Sequence, residues 1–271
     1  MDDININFKI EGNGMPLVII NGSMQTVEIW ESYKDQYGLN LLFNNCTIIN
    51  YDQRNQGKSS FSQNFLFSEH LLDLYKLLNK IGFEKYNILG ISTGSDIAIN
   101  FTLKYPELVD KLIIAGISNI YCPLQHALVL KLLLNIIEER KQEGLKDFFL
   151  LSYIYMFGSK TIEKQKNFYK LRMDFFQANS HWENYYYYIK ALYDYLINLS
   201  KNKVSLNINQ IKSKTLIMCG SQDFLLPLEY AYELNKNIID SKLIIYNDSG
   251  HFFLLDHLEK IQDDIINFLY E

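Results

Sequence analysis

The sequence predicts an α/β fold: a mostly parallel central sheet with helices on both faces, interrupted midway along the chain by an inserted block of helices. Three observations carry this expectation. Short apolar runs bounded by turn residues alternate with longer helical patterns up to about residue 120 and again from about residue 206, the signature of repeated strand–helix–strand crossovers. The clearest runs are apolar at every position, as strands covered on both faces must be. Between the two stretches, residues 121–205 show helical periodicity and no convincing strand.

Taken in order, Asn5 to Glu11 reads as a strand, Gly12-Asn13-Gly14 as a turn, and Leu17 to Ile20 as a central strand. Thr26 to about Tyr37 reads as a helix and Thr47 to Tyr51 as a buried strand. Ser68 to Lys80 is a helix stopped by Gly82. Tyr86 to Leu89 is a strand, Ser95 to Lys104 a helix ending before Pro106, and Leu112 to Ala115 another strand. In the insertion, Gly144 and Gly158 look like helix stops, and Ser180-His181-Trp182-Glu183 fits a capping box. Three or four helices are expected there. Alternation then returns with Thr215 to Cys219, Leu228 to Asn237, Leu243 to Tyr246, and a closing helix from about Leu255 to Tyr270. The chain therefore divides into a core, 1–120 with 206–271, and an insertion, 121–205.

Composition narrows the function. With 48% hydrophobic and 21% charged residues in 271, the chain can bury a sizeable core, so disordered and disulfide-scaffold readings fail. Twenty-six basic against 31 acidic residues leave a net charge of −5, which speaks against nucleic-acid binding. The acidic start, Met1-Asp2-Asp3, lacks the charged and apolar regions of a secretory signal. Ala127 to Ile137 is interrupted by Lys131 and Asn135 and is short of the ~20 residues that span a bilayer, so no transmembrane segment is expected. Cys46, Cys122 and Cys219 are scattered, with no Cys-x-x-Cys pair, and are expected to be reduced thiols in a cytoplasmic protein. There is no His-Glu-x-x-His and no cysteine–histidine ligand spacing, so no metal is expected. Gly57-Lys58-Ser59 resembles the end of a phosphate loop, but the glycine required upstream falls at Asp52, and no nucleotide or other cofactor is expected.

The chemistry centres on Gly90-Ile91-Ser92-Thr93-Gly94, which follows an expected strand and precedes an expected helix. That is the context of a Gly-x-Ser-x-Gly nucleophile elbow, in which a strained turn lifts the serine hydroxyl above the sheet and small neighbours let the helix approach the strand. Ser92 needs a base after it in the chain. His70 precedes it, and His126 and His181 lie in the insertion. His251, in the turn Asp248-Ser249-Gly250-His251 after a strand, is preferred over His257, which falls in or at the start of the last helix. The acid should end a strand, because catalytic groups in open α/β sheets gather at the carboxyl ends. Asp223, in Gly220-Ser221-Gln222-Asp223, meets this condition, with Asp248 as its rival.

These residues make the chain resemble the α/β-hydrolase superfamily over about 5–120 and 206–271. The resemblance implies a catalytic triad of Ser92, Asp223 and His251, acting through an acyl-enzyme. It also implies an oxyanion hole made by backbone N–H groups of Ser23 and Thr93, with Asn21-Gly22-Ser23 standing where the family usually has His-Gly-x. Asp52-Gln53-Arg54-Asn55-Gln56-Gly57-Lys58-Ser59 resembles the family's Asp-x-Arg-Gly-x-Gly-x-Ser loop with Asn55 in place of a glycine, a structural element at the pocket rim. The family places a cap between its sixth and seventh strands, and the insertion would be that cap. Its rings, among them Phe148, Phe149, Tyr153, Tyr155, Phe157, Phe168, Tyr169, Phe175, Phe176, Trp182 and Tyr185 to Tyr188, suit an apolar cleft for a fatty or aromatic acyl group.

The leading expectation is a hydrolase of carboxylic esters or thioesters. The alternative is an acyltransferase taking an acyl or hydroxyacyl group from a carrier protein or CoA. Asn21-Gly22-Ser23 with Thr26 resembles such enzymes, but they carry tryptophan where this chain has Thr93. An aminopeptidase, weakly suggested by Asp52-Gln53-Arg54, and a ligand receptor on the same scaffold complete the set.

Overall fold

The computed structural model describes residues 4–116, 123–156, 181–202, 207–225 and 227–271. Seven strands form one sheet: β1 (Phe8–Gly12), β2 (Met15–Ile20), β3 (Cys46–Tyr51), β4 (Tyr86–Ile91), β5 (Val109–Ala115), β6 (Lys214–Gly220) and β7 (Ser241–Tyr246). Their order is β1-β3-β2-β4-β5-β6-β7; β1 runs antiparallel to β3 and every other pair is parallel. β1 starts later than expected because Asn5 and Asn7 bond instead to Ser59, Ser60 and Asp52 of the loop after β3. The turn into β2 uses Gly12 and Gly14 at φ 83° and 125°, where a side chain would meet backbone of the 43–46 segment.

The helices are α1 (Val27–Tyr37), α2 (Asn40–Asn45), α3 (Glu69–Ile81), α4 (Thr93–Lys104), α5 (Pro123–Met156), α6 (Trp182–Asn202), α7 (Leu228–Asn237), α8 (Phe253–Asp256) and α9 (Leu258–Tyr270). Strand residues alternate between two cores. Val18, Ile20, Ile88 and Ile114 face α3, α4, α5, α6 and α7, whereas Leu17, Ile19, Leu89 and Ile113 face α1, α2 and α9. The helical block enters between β5 and β6, so five strands precede it here rather than the six of the family pattern.

Three expectations change. The closing helix is two, α8 and α9, separated at His257, whose φ of −128° leaves the helical region. The short α2 follows Gly38 and was not read from the sequence. Gly144 does not stop a helix: α5 is interrupted at Lys141, φ 53°, and this break brings Gly144 so close to the Ile136 carbonyl that an added Cβ would lie 2.4 Å away. Gly158, Ser180, Cys122 and the rings Phe157, Phe168, Tyr169, Phe175 and Phe176 lie outside the described residues. No helix among the described residues is long and apolar enough to cross a membrane.

Candidate active site

The centre of the site follows from how β4 hands over to α4. Ser92 sits between them at φ 52°, ψ −120°, a conformation that costs a non-glycine residue about 1–3 kcal/mol and persists only where its surroundings enforce it. They do. The Ser92 N–H donates to the Ala115 carbonyl (2.9 Å), and the Ser92 carbonyl accepts from Ser95 N–H (2.8 Å). Ser95 Oγ–H lies between the Gly90 and Gly116 carbonyls at 3.0 and 2.9 Å. The flanking glycines are needed for approach. A Cβ on Gly94 would lie 2.1 Å from the Ile20 carbonyl oxygen, and one on Gly90 2.7 Å from Ala98 Cβ.

Two further loops meet this elbow. Those after β6 and β7 are held together by Ser221 N–H to the Tyr246 carbonyl (2.9 Å) and Gln222 N–H to the Ser249 carbonyl (2.8 Å). They place His251 Nε2 2.9 Å from Ser92 Oγ and His251 Nδ1 2.7 Å from Asp223 Oδ2. The second oxygen, Asp223 Oδ1, accepts the Leu225 N–H at 3.0 Å. With an ionised carboxylate, Nδ1–H donates to Asp223 and Nε2 is left to accept the serine proton. Asp223 and His251 side chains are only 1% and 7% exposed, so their bond is shielded from water. The alternatives read from the sequence lie elsewhere. Asp248 sits at φ 61° with its N–H on Ser221 Oγ, serving the turn, and the His257 ring lies 5.5 Å from that of Tyr246.

The strand-end loop at Asn21 replaces the family's histidine with a fully bonded amide. Asn21 Nδ2 donates to Asn50 Oδ1 (2.7 Å) and the Tyr51 carbonyl (3.1 Å), and Asn21 Oδ1 accepts from Trp30 Nε1 (2.6 Å). Gln25 Oε1 takes the Gly22 N–H at 3.0 Å. Beyond this anchor, Ser23 Oγ lies 3.2 Å from Thr93 Oγ1, and neither residue's backbone N–H is engaged by another described residue. Thr93 Oγ1 also lies 3.1 Å from the hydroxyl of Tyr188 on α6. Burial pushes the Tyr188 phenol up to about 12 despite the Thr93 and Ser23 hydroxyls beside it, so it stays neutral. In the sequence this tyrosine was one of a run of four rings, and nothing marked its hydroxyl as the one over the elbow.

The 52–59 loop is a scaffold. The Asp52 carboxylate accepts from Val27 N–H (2.8 Å), Lys58 N–H (2.9 Å) and Asn7 Nδ2 (2.6 Å). Gly57, at φ 52°, approaches so closely that a Cβ would lie 2.3 Å from Asp52 Oδ2. Asn55 adopts φ 64°, which explains the substitution, because asparagine tolerates the left-handed region better than most residues. Arg54 grips Asp73 through Nε (2.6 Å) and a second nitrogen (2.7 Å), both side chains buried.

Ser23, Ser92, Thr93 and His251 all line one cavity of about 390 Å³. The rest of its wall is chiefly aliphatic and aromatic, and no Lys, Arg, Asp or Glu is among the described residues that line it. His126 reaches it from α5, with Nε2 3.1 Å from the Leu225 carbonyl. Among the described residues no three His, Cys, Asp or Glu side chains gather into a metal-binding group.

Comparisons with known proteins bear on the fold. The model of the alpha/beta hydrolase fold matches residues 15–258. A 2-hydroxy-6-oxononadienedioate/2-hydroxy-6-oxononatrienedioate hydrolase of Comamonas testosteroni is 26% identical over 201 residues, the match covering 71% of this chain and 65% of that protein. The chain thus spans about two thirds of that relative's length. Among solved structures, an esterase from Exiguobacterium antarcticum superposes with a TM-score of 0.77 at 23% identity, covering 100% of this chain and 97% of the other. A thermophilic esterase from Thermogutta terrifontis gives 0.79 at 19% identity, covering 98% and 93%.

Proposed function

The chain belongs to the alpha/beta hydrolase fold family, and on that premise we propose that it is a serine hydrolase cleaving a carboxylic ester or thioester of an apolar acyl group. The observation that carries this reading is the hydrogen-bonded chain Ser92–His251–Asp223 at the wall of a cavity with no ionised carboxylate, lysine or arginine among its described lining. Ser92 Oγ attacks the acyl carbon while its proton passes to His251 Nε2, and the carbonyl electron pair moves onto oxygen. The Ser23 and Thr93 N–H groups stabilise that oxyanion, each donor contributing about 3–4 kcal/mol in comparable sites. On collapse the bond to the leaving oxygen or sulfur breaks, and the leaving group takes the proton from His251. Water then gives a proton to His251 and attacks the acyl-enzyme; the bond to Ser92 Oγ breaks, Oγ recovers the proton, and the acid departs. Asp223 fixes the imidazole tautomer throughout. The helical block acts as the cap over this site, and two buried free thiols, Cys46 and Cys219, accord with a reducing cytoplasmic location.

A second reading comes from the Comamonas relative, whose named substrates carry a ketone and carboxylates and contain no ester. The same serine and histidine could act on a ketone. A dicarboxylate would meet an apolar wall without a described cationic partner, and burying a charge that way is costly, so the ester reading is favoured. The test is one panel, with wild type and Ser92→Ala: p-nitrophenyl esters, the matching acyl thioesters, and a 2-hydroxy-6-oxo-dienedioate. Turnover of esters by wild type alone is expected. Turnover of the dienedioate with negligible activity on every ester would replace this reading with carbon–carbon hydrolysis.

A further inference from the structure

The cavity draws its lining from both cores, on opposite faces of the sheet, with Ser92 in its wall, and this lining divides by core into two arms. One arm lies beneath α5 and α6 and the 224–227 loop. Among its described walls Gln125, Val129, Phe224 and Pro227 are exposed, Val129 by 51% and Phe224 by 70%, so among the described residues this is the arm that faces solvent. The other arm descends on the opposite face between α1, α2 and α9. Leu39, Leu42, Leu89, Ile261 and Ile265 line it, none more than 3% exposed. Its one amide, Gln262, bonds to backbone, donating through Nε2 to the Gly38 carbonyl (3.2 Å) and accepting the Leu42 N–H through Oε1 (3.4 Å). Phe252, Leu254 and Leu258, partly buried, join it from the same core; among the described residues this arm is apolar and far more buried than the other, and is termed the blind arm.

We propose that the blind arm between α1, α2 and α9 holds the acyl chain of the substrate, a medium-length aliphatic chain, and that the leaving group and the attacking water use the open arm. The proposal rests on the acyl-enzyme at Ser92. The argument is the order of events. After the first half-reaction the acyl group is still bonded to Ser92 Oγ, while the alcohol or thiol must depart and water must arrive. A leaving group in the blind arm would be trapped behind the acyl group. With the acyl chain in the blind arm, departure and water entry share the open one. The chemistry of the walls selects the chain. A hydroxyl or carboxylate carried into this arm would lose its hydration among aliphatic walls, where the Gln262 amide already commits one N–H and its oxygen to backbone. Each methylene buried there is favourable by an amount equivalent to roughly fourfold in kcat/KM.

The test is a chain-length series on the full-length protein, run from both ends of the ester. Along p-nitrophenyl acetate, butyrate, hexanoate and octanoate, kcat/KM should climb roughly fourfold per methylene until the arm is full, about 200-fold from acetate to hexanoate. Leu42→Phe and Ile265→Phe, which fill the blind arm, should each lower the octanoate-to-acetate ratio by tenfold or more. Val129→Trp, at the open arm, should leave that ratio alone and alter the preference among alcohols of different size. A flat or falling acyl series in an enzyme that turns over acetate would overturn the proposal without the variants, whatever their folding. A Val129→Trp enzyme that loses the acyl preference while Leu42→Phe keeps it would reverse the arms. No turnover of any ester, with Ser92 inert to a fluorophosphonate, would remove the acyl-enzyme reading itself.

Discussion

Substituting Gly94 by alanine isolates the contact on which the elbow depends. The new methyl would sit 2.1 Å from the Ile20 carbonyl oxygen, 2.6 Å from that of Asn21 and 2.8 Å from Ile20 C, all backbone atoms at the end of β2. Ordinary contact begins at 3.4 Å, so the first turn of α4 must retreat by about 1.3 Å, or β2 must give way by as much. That turn carries the Thr93 N–H and follows directly on Ser92. Misplacing a reacting group by about 1 Å costs roughly 100-fold, and overpacking of this kind destabilises by about 1–3 kcal/mol, at about 2–4 °C of Tm per kcal/mol for a chain of this size. Two other glycines set the scale. Gly90→Ala, with nearest atoms at 2.7 Å, should lose less activity. Gly38→Ala meets nothing within 4 Å and is strained only by its φ of 69°, which should cost about 1–2 kcal/mol of stability and no activity. The assays are the ester kcat/KM, the rate of fluorophosphonate labelling and the Tm. Gly94→Ala with wild-type labelling, or a larger activity loss in Gly38→Ala, would refute the reasoning.

Three further perturbations probe the surroundings. His251→Ala should abolish labelling as completely as loss of the serine, whereas His257→Ala, which removes only a ring set against Tyr246, should stay within a few-fold of wild type; the opposite ranking would move the base. Tyr188→Phe deletes the hydroxyl beside Thr93 and should lower kcat by up to about tenfold with little change in KM, the effect of one neutral hydrogen bond; an unchanged kcat would leave this hydroxyl with no positioning role. His70 is buried against Phe65, Phe67 and Tyr188 with no partner on either ring nitrogen among the described residues, and burial, helped by Arg54, pushes its pKa down to about 3. Its folded pKa lies below the unfolded value, so the stability it contributes is present above about pH 6.5 and drains away as pH falls towards 3, by up to about tenfold in the folding constant per unit. Urea titrations at pH 7 and 5 should show this loss in wild type and a smaller one in His70→Phe; equal losses would contradict it.

What could be read from the sequence had local or chain-order signals. The buried strands, the stops at Gly82 and Pro106, and the elbow around Ser92 are set by adjacent residues. His251 and Asp223 could be chosen because only strand-end loops reach the carboxyl edge of a parallel sheet. The features that were missed depend on distant chain segments. Tyr188 meets Thr93 across 95 residues, and Gln262 bonds to Gly38 across 224. Gly144 looks like a helix stop because glycine favours one, yet its role is set by the close approach of Ile136 at a break three residues earlier. Asn55 took a glycine's place through its left-handed φ, which sequence alone does not display. The second arm of the cavity comes from the packing of α2 and α9, and α2 itself carries too short a pattern to be recognised.

The most direct measurement is the intact mass of the folded protein after incubation with a fluorophosphonate, wild type beside Ser92→Ala. The expected result is one phosphonyl adduct on wild type and none on the variant, since only a serine whose proton can pass to His251 at 2.9 Å attacks phosphorus readily. An adduct on Ser92→Ala, or an unmodified wild type that is fully folded, would contradict the claim that Ser92, His251 and Asp223 act as one nucleophilic unit.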